Sequence, residues 1–394
     1  MRHAAGRLVA ALTVSTLLTA CSPGASESVS TPPPTASEAA SDTSAAVPKA
    51  PKMGRGTTAQ KSIPLTPEEQ RAQVASLMVV GVTDYDDALA KLQQGAGGIF
   101  ITSWANPELL TTPGRNIVAL RETVGRPFSV SIDFEGGRVQ RHAEVLGPRY
   151  SPRHLAETMT PQQVEDHARH LGNSLRWHGV TVNFAPVLDV DTAALEVVGD
   201  RSFSRDPHVA GEYGAAFARG LTAAGIVPVY KHFPGHGQAS GDTHHELAVT
   251  PPLDQLKTHD LVPYTVALPA APAAVMVGHM VVPGLGDGQT PSTLEPAAYD
   301  LLRSGTYPGG VPFDGLIYTD DLSGMRAITD RHPLPAAVAL ALGAGADQAL
   351  FSNVTDFPAV IDAVMAAINT GQISAAQITA SAERVQHQLT RSGL

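Results

Sequence analysis

The chain has 394 residues, a formal net charge of −10 and one cysteine, Cys21. No Lys/Arg-rich run or basic patch occurs, which argues against nucleic acid as a partner. A sole cysteine so close to the N-terminus excludes an internal disulfide and leaves the rest of the chain without a thiol nucleophile.

Residues 1–21 read as an export signal. Arg2, His3 and Arg7 supply a basic start, and the apolar core 8–20 is too short to span a bilayer comfortably. It ends in Leu18-Thr19-Ala20-Cys21, which resembles a bacterial lipobox, where the cysteine is lipidated and becomes the new N-terminus. The expectation is a lipoprotein held at the extracytoplasmic face of the cell membrane through Cys21, by a diacyl anchor where one chain would be marginal. Residues 22–62 are rich in Ser, Thr, Ala and Pro and almost free of large apolar side chains. Such a segment cannot bury enough surface to offset its ordering entropy, so it reads as a disordered tether.

Residues 63–394 suit one large domain, with no second apolar stretch long enough for a membrane span. Apolar runs recur at 76–82, 97–104, 127–134, 181–190, 226–233, 273–282, 315–321 and 348–353. Helix-like segments lie between them, 161–179 and 210–225 among them. Strands apolar on both faces and separated by helices mean a parallel sheet, and about eight such units predict an α/β fold, a (β/α)8 barrel of the TIM type. A doubly wound open sheet is the alternative, but no phosphate-binding glycine fingerprint opens a helix after the first strand.

Asp133, Asp189, Lys231, His232, His279, Asp320 and Asp321 all fall at or just past the C-terminal end of a predicted strand. In barrels that rim carries the active site. The richest stretch is KHFPGHGQASGDTH (231–244), which follows the apolar run IVPVY (226–230). Asp242 stands two residues before His244, so its carboxylate can fix the tautomer and orientation of that imidazole, as a proton-transferring His needs.

Other chemistries fit less well. His232, His236, His244, His245 and His279 invite a metal reading, but no H-E-x-x-H or H-x-H pair follows the first strand, and no metal or other cofactor is called for. No G-x-S-x-G elbow follows a predicted strand. Carboxylate chemistry remains. Asp320 and Asp321 are adjacent, so only one can face the barrel mouth. An ionised Asp and a protonatable His across one pocket supply a nucleophile and a general acid/base, the logic of a retaining glycosidase with His replacing the second carboxylate.

The segments IDFEGGRVQR (132–141), NFAPVLDV (183–190), GDRSFSRDP (199–207), KHFPGHG (231–237), DTH (242–244) and YTDDL (318–322) resemble glycoside hydrolase family 3. The resemblance is to its single-domain β-N-acetylglucosaminidase branch, and it covers residues from about 66 to 390. It implies Asp320 as the nucleophile, His244 as the acid/base and Asp242 as its orienting partner. It further implies Asp133, Arg201, Lys231 and His232 as groups that bind the terminal sugar, with Arg141 and His279 lining the same pocket. The implied substrates are GlcNAc-containing muropeptides or disaccharides from peptidoglycan. A β-glucosidase of the same family, transfer of the sugar to phosphate, a non-catalytic wall-sugar binder and a zinc hydrolase are the alternatives. Two positions depart from the family pattern: Phe134 stands where many relatives carry Gln, and Gly324 separates Ser323 from Met325 where relatives run Ser-Met directly.

Overall fold

The structure, a computed structural model, describes residues 65–391. The expected signal segment, Cys21 and the tether 22–62 lie outside the described residues. Eight strands follow one another: β1 (Met78–Val82), β2 (Gly98–Ile101), β3 (Ser129–Ile132), β4 (Val182–Asn183), β5 (Val227–Phe233), β6 (Ala274–Val277), β7 (Ile317–Thr319) and β8 (Ala349–Phe351). Each pairs in parallel with its sequence neighbour, and β8 pairs back onto β1. A parallel bridge between Tyr318 and Gln348 joins β7 to β8 and completes the ring. This is the expected (β/α)8 barrel.

The strand residues are almost all buried because helices cover one face of the sheet and side chains fill the other. Phe184 packs against Phe100 of β2 and Tyr318 of β7, with ring centroids 5.6 and 5.4 Å apart. Rings from such distant strands can meet only across the barrel interior. Each is fully or almost fully buried, which contributes about 2–3 kcal/mol of transfer free energy per ring. Outside, the helix Pro161–Trp177 buries Val164, Ala168, Leu171 and Leu175, a spacing of three and four residues that makes one apolar stripe. Thr160 and Gln163 close a capping box at its start, and Pro161 occupies the first turn, where its missing N–H has no helical partner to lose.

Two features differ from the pattern of apolar runs. The run 181–190 forms a strand only at 182–183, because Pro186 has no N–H to give to a ladder. The chain still follows β5 through the Val187–Lys231 bridge and a 2.7 Å bond from the Leu188 N–H to the Lys231 carbonyl. After β3, a small antiparallel hairpin (Phe134–Gly136 with Val139–Gln140) interrupts the alternation of strand and helix. It carries a buried glutamate, Glu135, to the C-terminal rim.

A cavity of about 990 Å³ opens at the other end of the barrel, beside the strand starts at Val227, Ala273 and Leu316. None of the expected site residues lines it. Among the described residues, no helix is long and apolar enough to cross a membrane.

Candidate active site

Four charged side chains from three separate elements form the floor of the site. Lys231, in β5, places Nζ 2.9 Å from Asp133 Oδ1 and 2.7 Å from Glu135 Oε1. Asp133 is the first residue past β3, and Glu135 lies in the hairpin that follows. Arg201 closes the group from a short 3-10 turn, Gly199–Arg201. Its Nε and Nη2 donate to the two Glu135 oxygens at 2.7 and 2.8 Å, the side-on fork geometry of strong guanidinium–carboxylate pairs. Arg201 is therefore not a surface residue, although it sits in a polar stretch of sequence. Burial opposes charge on all of them. The neighbouring opposite charges overcome it: Glu135 is held well below the usual carboxylate range by Arg201 and Lys231, and Lys231 above its ordinary value by Asp133 and Glu135.

His232 follows Lys231 and is oriented by Asp189. The Nδ1–H of His232 donates to Asp189 Oδ2 at 2.6 Å, and among the described residues Nε2 has no partner. Asp189 also accepts the backbone N–H groups of His232 and His236, at 3.2 and 2.8 Å. Burial would raise the Asp189 pKa, but His232 and these donors lower it to about 2. Asp189 is thus a structural anion at the base of the loop that starts at Phe233. The His236 Nε2 lies 3.2 Å from the Gly241 carbonyl, which ties the first part of that loop together.

Asp320 is the first residue past β7, buried, with its N–H donating to the Val277 carbonyl at 3.0 Å. Burial pushes its carboxyl up, and the charges of His232, His279 and Lys231, with the Asp321 N–H, outweigh that and keep it below the usual value. It is an anion within electrostatic reach of three basic groups. Asp321 points the other way, into the following turn. Its Oδ1 accepts from Ser323 Oγ and the Ser352 N–H at 2.9 Å each, and Ser352 Oγ donates to Oδ2. His279 differs from expectation: it is completely buried, so it does not line the open pocket. Nδ1 meets Thr293 Oγ1 at 2.7 Å and Nε2 meets the Asp321 carbonyl at 3.0 Å, which places it behind Asp320. Burial holds its pKa below the ordinary imidazole value.

Over this floor runs the loop carrying Asp242 and His244. Asp242 Oδ1 accepts both the His244 Nδ1–H at 2.7 Å and the His244 backbone N–H at 2.9 Å. The His244 side chain is 46% exposed, and among the described residues Nε2 has no partner. His244 makes no contact with Asp320, although its backbone does reach the segment after it. The Ala327 and Arg326 N–H groups donate to the Thr243 and His244 carbonyls at 3.2 and 3.4 Å, and the Thr243 hydroxyl lies 3.6 Å from Met325 Sδ. Gly237 is required in this loop: a Cβ there would fall 1.9 Å from the Val190 carbonyl oxygen. The His245 side chain is exposed, with Nε2 3.9 Å from Asp242 Oδ2, and its backbone N–H donates to the Asp242 carbonyl at 3.0 Å. Arg141 donates its backbone N–H to the Asp133 carbonyl at 3.1 Å, and its guanidinium has no protein partner among the described residues.

The two departures from the family pattern fall in supporting positions. Phe134 is buried in the core, and Asn183 clamps its backbone with bonds of 3.0 and 2.8 Å. Gly324 lies against Asp321, where a Cβ would stand 2.3 Å from Oδ2. Among the described residues no three His, Cys, Asp or Glu side chains gather as a metal site.

Residues 70–388 match the Glycosyl hydrolase family 3 N terminal domain. The chain belongs to glycoside hydrolase family 3. It is therefore a glycoside hydrolase. It is 44% identical over 374 residues to Beta-hexosaminidase LpqI of Mycobacterium tuberculosis, covering 94% of this chain and 93% of that protein. A Beta-hexosaminidase of Stenotrophomonas maltophilia is 35% identical over 274 residues, covering 66% of this chain and 76% of that protein. Among solved structures, a family 3 glycosyl hydrolase of Mycobacterium smegmatis superposes with a TM-score of 0.78 at 47% identity, over 83% of this chain and 97% of that one. A family 3 β-N-acetylglucosaminidase from Paenibacillus sp. FPU-7 gives 0.76 at 29% identity, over 84% of this chain and 63% of that one.

Sequence reasoning missed Glu135. A Glu followed by two glycines reads as part of a turn, and only the pairing with Lys231 and Arg201 reveals it as part of the floor. Asp189 stood among the strand-end residues, without the role of holding His232 and His236.

Proposed function

We propose that the chain is a retaining exo-β-N-acetylglucosaminidase that removes terminal GlcNAc from peptidoglycan fragments outside the membrane. Its standing as a β-hexosaminidase of family 3 rests on the family match and the mycobacterial relative. The observation that carries the finer reading is the Asp242–His244 dyad at 2.7 Å, with Nε2 of the imidazole unpartnered and exposed. A carboxylate that fixes Nδ1–H leaves Nε2 to carry the proton in transit.

In this reading the floor holds the terminal sugar through Asp133, Arg141, Arg201, Lys231 and His232, with His279 acting on Asp320 from behind. Asp320 attacks the anomeric carbon, and the bond to the leaving oxygen breaks as His244 Nε2 gives that oxygen its proton. The product is a glycosyl ester on Asp320. His244, now neutral, takes a proton from water, the water oxygen attacks the same carbon, and Asp320 leaves as the carboxylate. Two inversions give net retention.

The reading takes the lipobox-like Leu18-Thr19-Ala20-Cys21 as a lipid anchor and 22–62 as a spacer, which would hold the enzyme at the extracytoplasmic face of the membrane, where wall fragments such as muropeptides and their disaccharides occur. Phosphate is a second acceptor to consider, since an imidazole in the acid/base position carries no anion to repel it. Rates on p-nitrophenyl β-GlcNAc and p-nitrophenyl β-glucoside, each with and without phosphate, test the reading. A strong preference for the GlcNAc substrate, unchanged by phosphate and giving free GlcNAc, is expected. Equal rates on both sugars would overturn the substrate assignment, and a sugar phosphate product would overturn hydrolysis.

A further inference from the structure

The Glu135 side chain is fully buried, yet it takes both cations of the floor. Oε1 takes Lys231 Nζ at 2.7 Å and Arg201 Nη2 at 2.8 Å, while Oε2 takes Arg201 Nε at 2.7 Å. The two cations come from different elements, β5 and the 3-10 turn, and nothing else in the floor bonds both of them. Among the described residues the Arg201 side chain has one other partner, the Val197 carbonyl at 2.9 Å, and the Lys231 side chain has Asp133 at 2.9 Å. We propose that Glu135 is a positioning residue for sugar binding, which fixes the direction and charge of Lys231 and Arg201 without touching the sugar. This rests on the reading of Lys231 and Arg201 as sugar-binding groups.

The charge balance supports it. The groups facing Lys231 are Asp133, Glu135 and Arg201, with Asp320 within electrostatic reach; those facing Arg201 are Glu135, Asp133 and Asp189. Asp133 and Glu135 balance Lys231 and Arg201. Without the Glu135 anion, two buried cations share one nearby carboxylate, and the Lys231 ammonium loses a partner that offsets its burial. Lys231 is held above its ordinary pKa in the intact site, so that loss moves its titration to lower pH.

The test is the pH profile of kcat/KM on p-nitrophenyl β-GlcNAc for the wild type, Glu135→Gln and Glu135→Asp, with active sites counted by a trapping fluorosugar. For Glu135→Gln we expect KM to rise roughly 10- to 100-fold with a smaller change in kcat, as for loss of charged hydrogen bonds that orient a binding group. The limb set by Lys231, which is held above its ordinary value and so lies beyond any limb set by the acid/base, should move to lower pH. Glu135→Asp keeps the charge but cannot reach both cations, so it should raise KM and leave that limb in place. A purely structural ion pair would lower Tm and the active fraction while the titrated sites kept wild-type KM and pH profile, which would overturn the proposal. If the Gln variant does not fold, the Asp variant decides: raised KM with an unmoved limb supports the proposal, and wild-type KM overturns it. A wild type inactive on GlcNAc substrates would overturn the underlying reading, and this inference with it.

Discussion

On the floor of the site the Glu135 and Lys231 side chains are 0% and 3% exposed, and the His232 and Asp189 side chains are nearly as buried. On the loop above it, His244 exposes 46% of its side chain and Asp242 29%. Both regions use the same device, a carboxylate holding a base: Asp189 to His232 at 2.6 Å and Asp242 to His244 at 2.7 Å. The setting differs. His232 is fixed from a barrel strand by a buried anion. The His244 imidazole is held by a neighbour two residues away, on a backbone that includes Gly235, Gly237 and Gly241. Binding a sugar rewards groups already oriented and desolvated. Passing a proton to a departing group, and then taking one from water, requires a base that both can reach.

The sharpest way to break this comparison is at the floor. Asp320→Ala should lower activity on p-nitrophenyl β-GlcNAc by more than about 1,000-fold, as removal of a covalent nucleophile does. A 2-deoxy-2-fluoro or 5-fluoro sugar should label Asp320 in the wild type, read by peptide mass mapping. Label on Asp321 would reverse the assignment of the pair. A smaller effect is expected on the loop. Asp242→Asn keeps the imidazole but removes its anion, so hydrolysis of substrates with poor leaving groups should slow by roughly 10-fold, with activated aryl glycosides less affected. Equal slowing of both would make Asp242 a loop-folding residue only.

Asp189→Asn probes stability. The folded pKa of Asp189, about 2, lies below the 3.8 of a free aspartate, so its contribution is present above that value and is lost as pH falls toward 2. That contribution is about 2 kcal/mol. The Tm gap between wild type and Asp189→Asn should be wide at pH 6 and close as pH drops below 4, and a constant gap would contradict the ion-pair account. Last, Cys21→Ser should release the protein from the membrane fraction and leave kcat of the soluble domain unchanged. Continued membrane retention would refute the lipobox, and lost activity would refute the tether.

The barrel was legible because its strands are short apolar runs separated by helix-length segments, and β1 to β8 all fall within those runs. The place of Asp320 at a strand end and the Asp242–His244 bond were legible because both are local: a carboxylate after an apolar run, and two side chains two residues apart. Glu135 was not, because its meaning depends on Arg201, 66 positions away, and on Lys231. His279 misled for a related reason. Its place at a strand end suggested the pocket, but bonds to Thr293 and the Asp321 carbonyl turn both ring nitrogens into the protein. The short β4 shows the remaining limit. Pro186 sits inside a run that is otherwise apolar enough for a strand, and it removes a donor that periodicity does not count.

The central claim is that the open loop carries the acid/base while the buried floor carries the nucleophile. The measurement that tests it most directly is the rate of His244→Ala relative to wild type across a series of aryl β-GlcNAc substrates of graded leaving-group pKa. The account predicts a loss that grows with leaving-group pKa, from near wild-type glycosylation rates with the most activated phenols to about 100- to 10,000-fold with poor ones. A uniform loss across the series would make His244 a binding residue and contradict the account.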